Sequence, residues 1–210
     1  MGNEFDAALE SAVRSLRAAS QRAGCTATFK PGDKKELARI RELYPDMPGL
    51  YARFLEKHDP QDALFSPAPK NAIALFALKN VEDGQLGYSV HSTTGANLTG
   101  TKDGEWRDSW LVVGSDNDMP FFLECAEAKN GDAPVYFGRR EGGGHWITVR
   151  VAGSFEKLLR LCAAYMDGYR SWEDPEGDDF QMPDRVRAVI ARGLRLVDPE
   201  LDVEAYWLAN

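Results

Sequence analysis

The side chains that most often build a metal centre or a nucleophile are scarce in this chain. His58, His91 and His145 are its only histidines, and Cys25, Cys125 and Cys162 its only cysteines. There is no His-x-x-x-His and no Cys-x-x-Cys, so neither a zinc site nor a redox dithiol is encoded locally. The thiols are expected to be small buried apolar residues of a reducing compartment. Asp116-Asn-Asp118 matches the opening of a calcium loop, but Pro120 and Phe121 then occupy a ligand position and the glycine position. An Asx-rich turn between two strands is the reading that remains. Ser154-Phe-Glu-Lys157 has the Ser-x-x-Lys spacing of a serine acyl-enzyme, without the accompanying Lys-Thr-Gly. Ser154 also stands directly before an apolar helical stripe, where a capping hydroxyl belongs. Gly142-Gly-Gly144 lies between two strand-like runs rather than before a helix, so a hairpin explains it better than a phosphate cradle. Carboxylates abound, yet a general acid and base need a separation and contrasting environments that no local spacing supplies. No enzyme, metal or cofactor is expected.

The balance of charge points the same way. The chain of 210 residues has a net charge of −8. Direct binding of nucleic acid, which needs clustered Lys and Arg, is therefore disfavoured, and a basic partner is easier to accommodate. Six of the acids, Glu173, Asp174, Glu176, Asp178, Asp179 and Asp184, follow one another with no base between them. Such a run is either a solvated linker or a surface that imitates a phosphate backbone. No apolar run approaches the ~20 residues of a membrane span. Met1-Gly-Asn-Glu-Phe-Asp6 has neither a secretory nor a myristoylation pattern, so a cytoplasmic location without membrane contact is expected. Asn97-Leu-Thr99 is a glycosylation sequon with no secretory route to serve it.

Four short apolar runs define the elements that must position any site: Trp110–Gly114, Phe121–Glu124, Pro134–Gly138 and His145–Val151. Turn residues separate them, and Ser154 then opens a helix bearing Phe155, Leu158, Leu159, Cys162, Tyr165 and Met166. An α+β fold follows, an antiparallel β-meander of about four to six strands flanked by helices. Upstream, a helix is expected over 4–22, a short strand over 25–29, and a helix over 34–44 capped by Asp33. Another helix runs from about Pro48 to His58, followed by a loop over 61–71 and a strand over 72–76. Residues 77–90 fit neither period, and 91–107 read as an exposed hairpin or loop. Pro183 starts a helix with Val186, Val189, Ile190 and Leu194, and a last short helix is possible over 199–208. The whole, 1–210, forms one domain with a core over about 33–170. Residues 1–24 and 171–210 form helical extensions, the second beginning with the acidic loop. Trp146, Thr148 and Arg150 alternate with Ile147, Val149 and Val151, so one set faces away from the core. Trp146 then either packs in a core or anchors a partner.

In three places the residues resemble the SUKH superfamily. Met47-Pro-Gly-Leu-Tyr-Ala-Arg-Phe-Leu-Glu-Lys-His58 is similar to its Leu-Pro, aromatic, Phe-Leu helix. Trp110-Leu-Val-Val-Gly114 with Phe121-Phe-Leu-Glu124 resembles its paired central strands. Val135-Tyr-Phe137 followed by Ser154-Phe-Glu-Lys-Leu-Leu159 resembles its last strands and closing helix. Together these cover roughly residues 33–166. His58-Asp59 stands where the family commonly has Asn-Gly. The resemblance implies a binding protein without catalytic residues, of the kind that in bacteria neutralises a cognate secreted or type VI-delivered toxin, often a nuclease. The partner would be a toxin with a basic active-site surface, held over ~800 Å² per protein. A regulatory or scaffold protein of the same fold is the alternative, and an enzyme of unrecognised type a third. The candidate docking residues are the acids Glu173, Asp174, Glu176, Asp178 and Asp179, and on the sheet Asp116, Asp118, Trp146 and Arg150.

Overall fold

The computed structural model describes residues 2–68, 71–142, 144–172 and 182–209. Among the described residues five α-helices flank one antiparallel sheet of seven strands, whose order across the sheet is the order along the chain. The strands are β1 (Thr26–Lys30), β2 (Asp59–Ala68), β3 (Asn71–Leu75), β4 (Trp110–Asp116), β5 (Met119–Glu124), β6 (Val135–Arg140) and β7 (Trp146–Ala152). The helices are α1 (Gly2–Arg22), α2 (Lys34–Leu43), α3 (Gly49–His58), α4 (Phe155–Tyr169) and α5 (Asp184–Val197). The α+β meander is thus as expected, with one strand beyond the expected range.

The added strand is β2, where a loop was expected. Its prolines give it the signature of a loop. Pro60 pairs opposite Phe29 where the β1–β2 register shifts, and Pro67 lies within the shift between Phe65 and Ala68 of the β2–β3 pair. A proline interrupts a regular ladder but is tolerated where the ladder is already irregular. The segment 199–208, by contrast, forms turns rather than a helix.

Helix starts follow the capping chemistry of the sequence. The Asp33 carboxylate accepts the Glu36 N–H at 2.8 Å, and Pro48 precedes α3. Ser154 Oγ accepts the Lys157 N–H at 3.1 Å at the start of α4. That terminus has a second cap from far away, because Asp132, in the β5–β6 connection, accepts the Phe155 and Glu156 N–H groups at 3.0 and 3.3 Å. With Asp132 sharing the load, Ser154→Ala is expected to cost about 1 kcal/mol by denaturant titration, not to unfold the helix.

One face of the sheet carries the main core. Val113, Phe121, Leu123, Val135 and Val151 are buried there in one cluster with the apolar residues of α4, and both α1 and α5 pack along α4. Leu9, Ala12, Val13, Leu16 and Ala19 of α1 are buried, so this helix is an integral layer rather than an appendage. Arg22 ties its end to Asp167 through two hydrogen bonds of 2.9 and 2.6 Å. On α3, Phe54 meets Phe155 edge to face at 5.0 Å, which joins the first and third stretches that carried the family resemblance.

The end of α3 holds a titrating contact. His58, largely buried, lies 3.0 Å from Glu10 of α1. Burial lowers the imidazole below its ordinary value of 6.5, outweighing the opposite pull of Glu10. A lowered folded pKa means that the unfolded chain takes up the proton first. Stability should therefore be constant above pH 6.5 and decline as pH falls from 6.5 towards the folded pKa. Urea titrations across this window check it, and His58→Gln should flatten that part of the profile.

Candidate functional site

The opposite face of the sheet carries a second, aromatic core. Trp110, Val112 and Phe122 are buried there, with Tyr136 and Trp146 packed beside them. A connection of 34 residues, from Phe76 to Ser109, runs over this face and supplies Phe76, Tyr88 and Trp106. Trp106 is 2% exposed, and its ring centroid lies 5.0–5.1 Å from those of Tyr88, Trp110, Phe122 and Trp146. Gln85 fixes the same connection to the sheet. Its side-chain amide accepts the Val112 N–H at 3.0 Å and donates to the Val112 and Val81 carbonyls at 2.9 and 2.8 Å. The β3–β4 pairing reaches only as far as Gly114, and the glutamine continues the ladder in the missing strand's place.

Beside this face opens a cleft of about 340 Å³. One wall is the α2–α3 connection, with Tyr44, Asp46 and Met47. The other is formed by Asn97, Thr99 and Asp108 of the long connection, and by Trp110 and Cys125 at the start of β4 and the end of β5. The Thr99 hydroxyl donates to Asp108, and Asn97 Oδ1 accepts the Thr99 N–H at 2.8 Å. Glu124 accepts the Trp110 indole N–H at 2.6 Å behind the wall. No Lys, Arg or His is among the described residues that line the cleft.

The cleft also disposes of one potential nucleophile. The Cys125 thiol is pushed up to about 12 by burial, Glu124 and Asp46. Cys162, wholly enclosed on α4, is likewise pushed up to about 12 by burial and by Asp116. Both thiols are protonated at neutral pH and poor attackers. Ser154 is engaged as a cap, and Lys157 Nζ donates to Asp198 at 2.9 Å instead of facing that hydroxyl. The Ser-Asp-Asn element that accompanies such a serine in acyl-enzymes is expected to be missing, but Ser115-Asp-Asn117 supplies it. Its Asp and Asn belong to the β4–β5 hairpin and bond within the fold. Among the described residues no three His, Cys, Asp or Glu are grouped to hold a metal.

The four sheet residues proposed for docking fall in different places. Asn117 and Asp118 are the two positive-φ residues of a tight hairpin turn, at 47° and 66°, as an Asx-rich turn requires. Asp118 is exposed, and its carbonyl accepts the Tyr88 hydroxyl at 3.1 Å. Tyr88 in turn packs on Trp146 at 5.5 Å, so Asp118 and Trp146 neighbour one another through that ring. Trp146 is half-buried in the aromatic cluster, with the Arg140 guanidinium 5.7 Å from its ring centre. Arg150 is exposed and sits opposite Tyr136. The alternation in β7 is as expected, with Val151 in the main core and Trp146 on the second face.

Asp116 is the correction. It was expected on the exposed sheet surface, and it is 6% exposed. A register shift between Val112 and Gly114 inserts one residue and turns Asp116 towards the helices. There it accepts the Tyr206 hydroxyl at 2.7 Å and the Ala72 N–H at 3.1 Å. Asp59 and Asp198 are used similarly, on the Leu78 N–H at 2.6 Å and the Gly153 N–H at 2.7 Å. Buried carboxylates here clasp distant segments together. Glu173, Asp174, Glu176, Asp178 and Asp179 lie outside the described residues.

Sequence periodicity gave no sign of Gln85 or Trp106. The one available signal was a lone Trp in a Ser-, Gly- and Asp-rich connection. Comparison of the chain with protein-family models and with curated proteins finds no match. Among the described residues no helix is long and apolar enough to cross a membrane.

Proposed function

We propose that this is an immunity-type protein that binds a cognate protein toxin one to one and neutralises it by covering its active surface. The observation that carries this reading is the cleft beside the aromatic sheet face. It combines apolar walls with carboxylates and has no base among its described lining residues, which suits a basic active-site surface such as that of a nuclease. The meander closed by α4 is also the architecture that the resemblance to the SUKH superfamily implies. The acidic run from Glu173 to Asp184 belongs to the same proposal as an element that speeds encounter. Asp118, Trp146 and Arg150 do not line this cleft, and they stay in the proposal as a separate candidate surface towards the other end of the sheet.

The test is capture of the partner with tagged full-length protein from its native cell, followed by assay of the partner's toxicity with and without it. A one-to-one complex whose toxin activity is abolished supports the proposal. Recovery of cellular regulators without any such activity assigns the protein to the scaffold reading instead. With the partner in hand, conversion of Glu173, Asp174, Glu176, Asp178, Asp179 and Asp184 to their amides should slow association about tenfold or more at low salt. It should also flatten the dependence on ionic strength, as stopped-flow mixing would show. Unchanged kinetics remove the acidic run from the interface.

A further inference from the structure

We infer that the cleft between the α2–α3 connection and the start of β4 is a socket for one cationic side chain, an arginine or lysine, presented by the protein partner. This inference rests on the binding-protein reading above and gives its site a chemistry.

Three features of the cleft select such a ligand. The first is charge. Asp46 and Asp108 both line the cleft, one from the α2–α3 connection and one from the long connection, and the formal charges of the described lining residues are all negative. Asp46 is exposed and takes part in no ion pair among the described residues, whereas Arg39, Arg53 and Arg22 elsewhere on the surface are each paired with a carboxylate. The negative field is felt inside the cleft as well, since Glu124 and Asp46 join burial in holding the Cys125 proton. The second is shape and lining. Met47, Leu111 and the half-buried Tyr44 offer apolar and aromatic surface on which the methylene stem of a long basic side chain can lie with its head among acceptors. The third is a precedent within the molecule. The Arg107 guanidinium already lies 5.6 Å from the centre of the Trp110 ring, yet Arg107 does not line the cleft and forms no ion pair with Asp46 or Asp108 among the described residues. A ligand of negative charge would meet Asp46 and Asp108 directly, and a neutral one would leave both without a counter-charge.

The rim supports a protein as the source of the cation. Leu43 is 49% exposed at the mouth, and Leu98 is exposed on the connection that forms the other wall. A free amine has no use for these apolar rim residues, whereas a protein surface would cover them.

The test uses full-length protein labelled at its methionine methyl groups, since Met47 lines the cleft. Nα-acetyl-arginine amide should shift the Met47 methyl resonance saturably, and more salt should weaken the effect. The citrulline analogue, of the same shape but uncharged, should leave the resonance in place. Asp46→Asn with Asp108→Asn preserves the shape and should weaken binding of the arginine probe about tenfold. The other methyl resonances, held at their original positions, would report that the variant is folded. No saturable shift, or equal binding of the citrulline analogue, overturns the socket. Tighter binding of spermidine than of the arginine amide overturns its assignment to a protein side chain. These outcomes are independent of the toxin assay: a neutralised partner that binds the double variant undiminished overturns the socket while leaving the immunity reading intact.

Discussion

Phe155→Ala is expected to lower the unfolding free energy by about 3–5 kcal/mol. The ring is fully enclosed, and it meets both Tyr51 and Phe54 edge to face at 5.0 Å. Removal leaves a cavity at the point where α3, α4 and the sheet converge, and a close-packed core refills such a space only in part. For a chain of this length the loss should appear as a fall in Tm of roughly 10 °C. Phe54→Ala should cost a similar amount, and the double variant less than the sum, because the two rings share one contact. Additive losses would mean that the pair does not interact across the α3–α4 boundary. Chemical denaturation of the three variants decides it.

Asp116→Ala is expected to be nearly as severe, at about 2–5 kcal/mol, because at least two donors lose their acceptor. The carboxylate joins the β4–β5 hairpin to β3 and to the C-terminal segment through the Ala72 N–H and the Tyr206 hydroxyl. Tyr206, whose ionisation is pushed well up by burial and by Asp116, would keep its proton and lose its acceptor. Asp116→Asn retains an acceptor oxygen and should cost less. This pair of variants also separates a structural from a docking role. Folded Asp116→Asn protein should bind the partner with unaltered association kinetics, whereas a docking carboxylate would slow it.

That residue shows where a linear reading of the chain stops. Strict alternation from Trp110 places Asp116 on the same face as Val112, and one inserted residue at Val113 reverses the assignment. The strands from Trp110 to Ala152 were legible because each is a short apolar run bounded by turn residues, β4 and β5 being buried on both faces of the sheet. The strand Asp59–Ala68 was not, since its prolines mark irregular pairing and read as punctuation. Helix starts were legible where the cap is local, as at Asp33 and Ser154. The cap from Asp132 was not, since 23 residues separate it from Phe155. The same holds for the candidate site. Its walls come from residues near 44, 97, 108 and 125, and no periodic signal connects them. Gln85 and Trp106 act singly, one amide and one ring, so they leave no repeating trace.

The order of the strands bears on how the chain assembles during synthesis. Every strand pairs with its predecessor or successor along the chain, so each new strand finds its partner already made, although the pairs β1–β2 and β3–β4 must close long connections rather than hairpins. The helical layer differs. The inner side of α1 is apolar from the moment it leaves the ribosome, yet its principal neighbour, α4, begins at Phe155, more than 130 residues later. At a synthesis rate of about 5–20 residues per second, α1 waits on the order of ten seconds for that neighbour. Over that interval Leu9, Val13 and Leu16 have no α4 surface to pack against, and the nascent chain, more than the finished fold, is the form that exposes this apolar stripe.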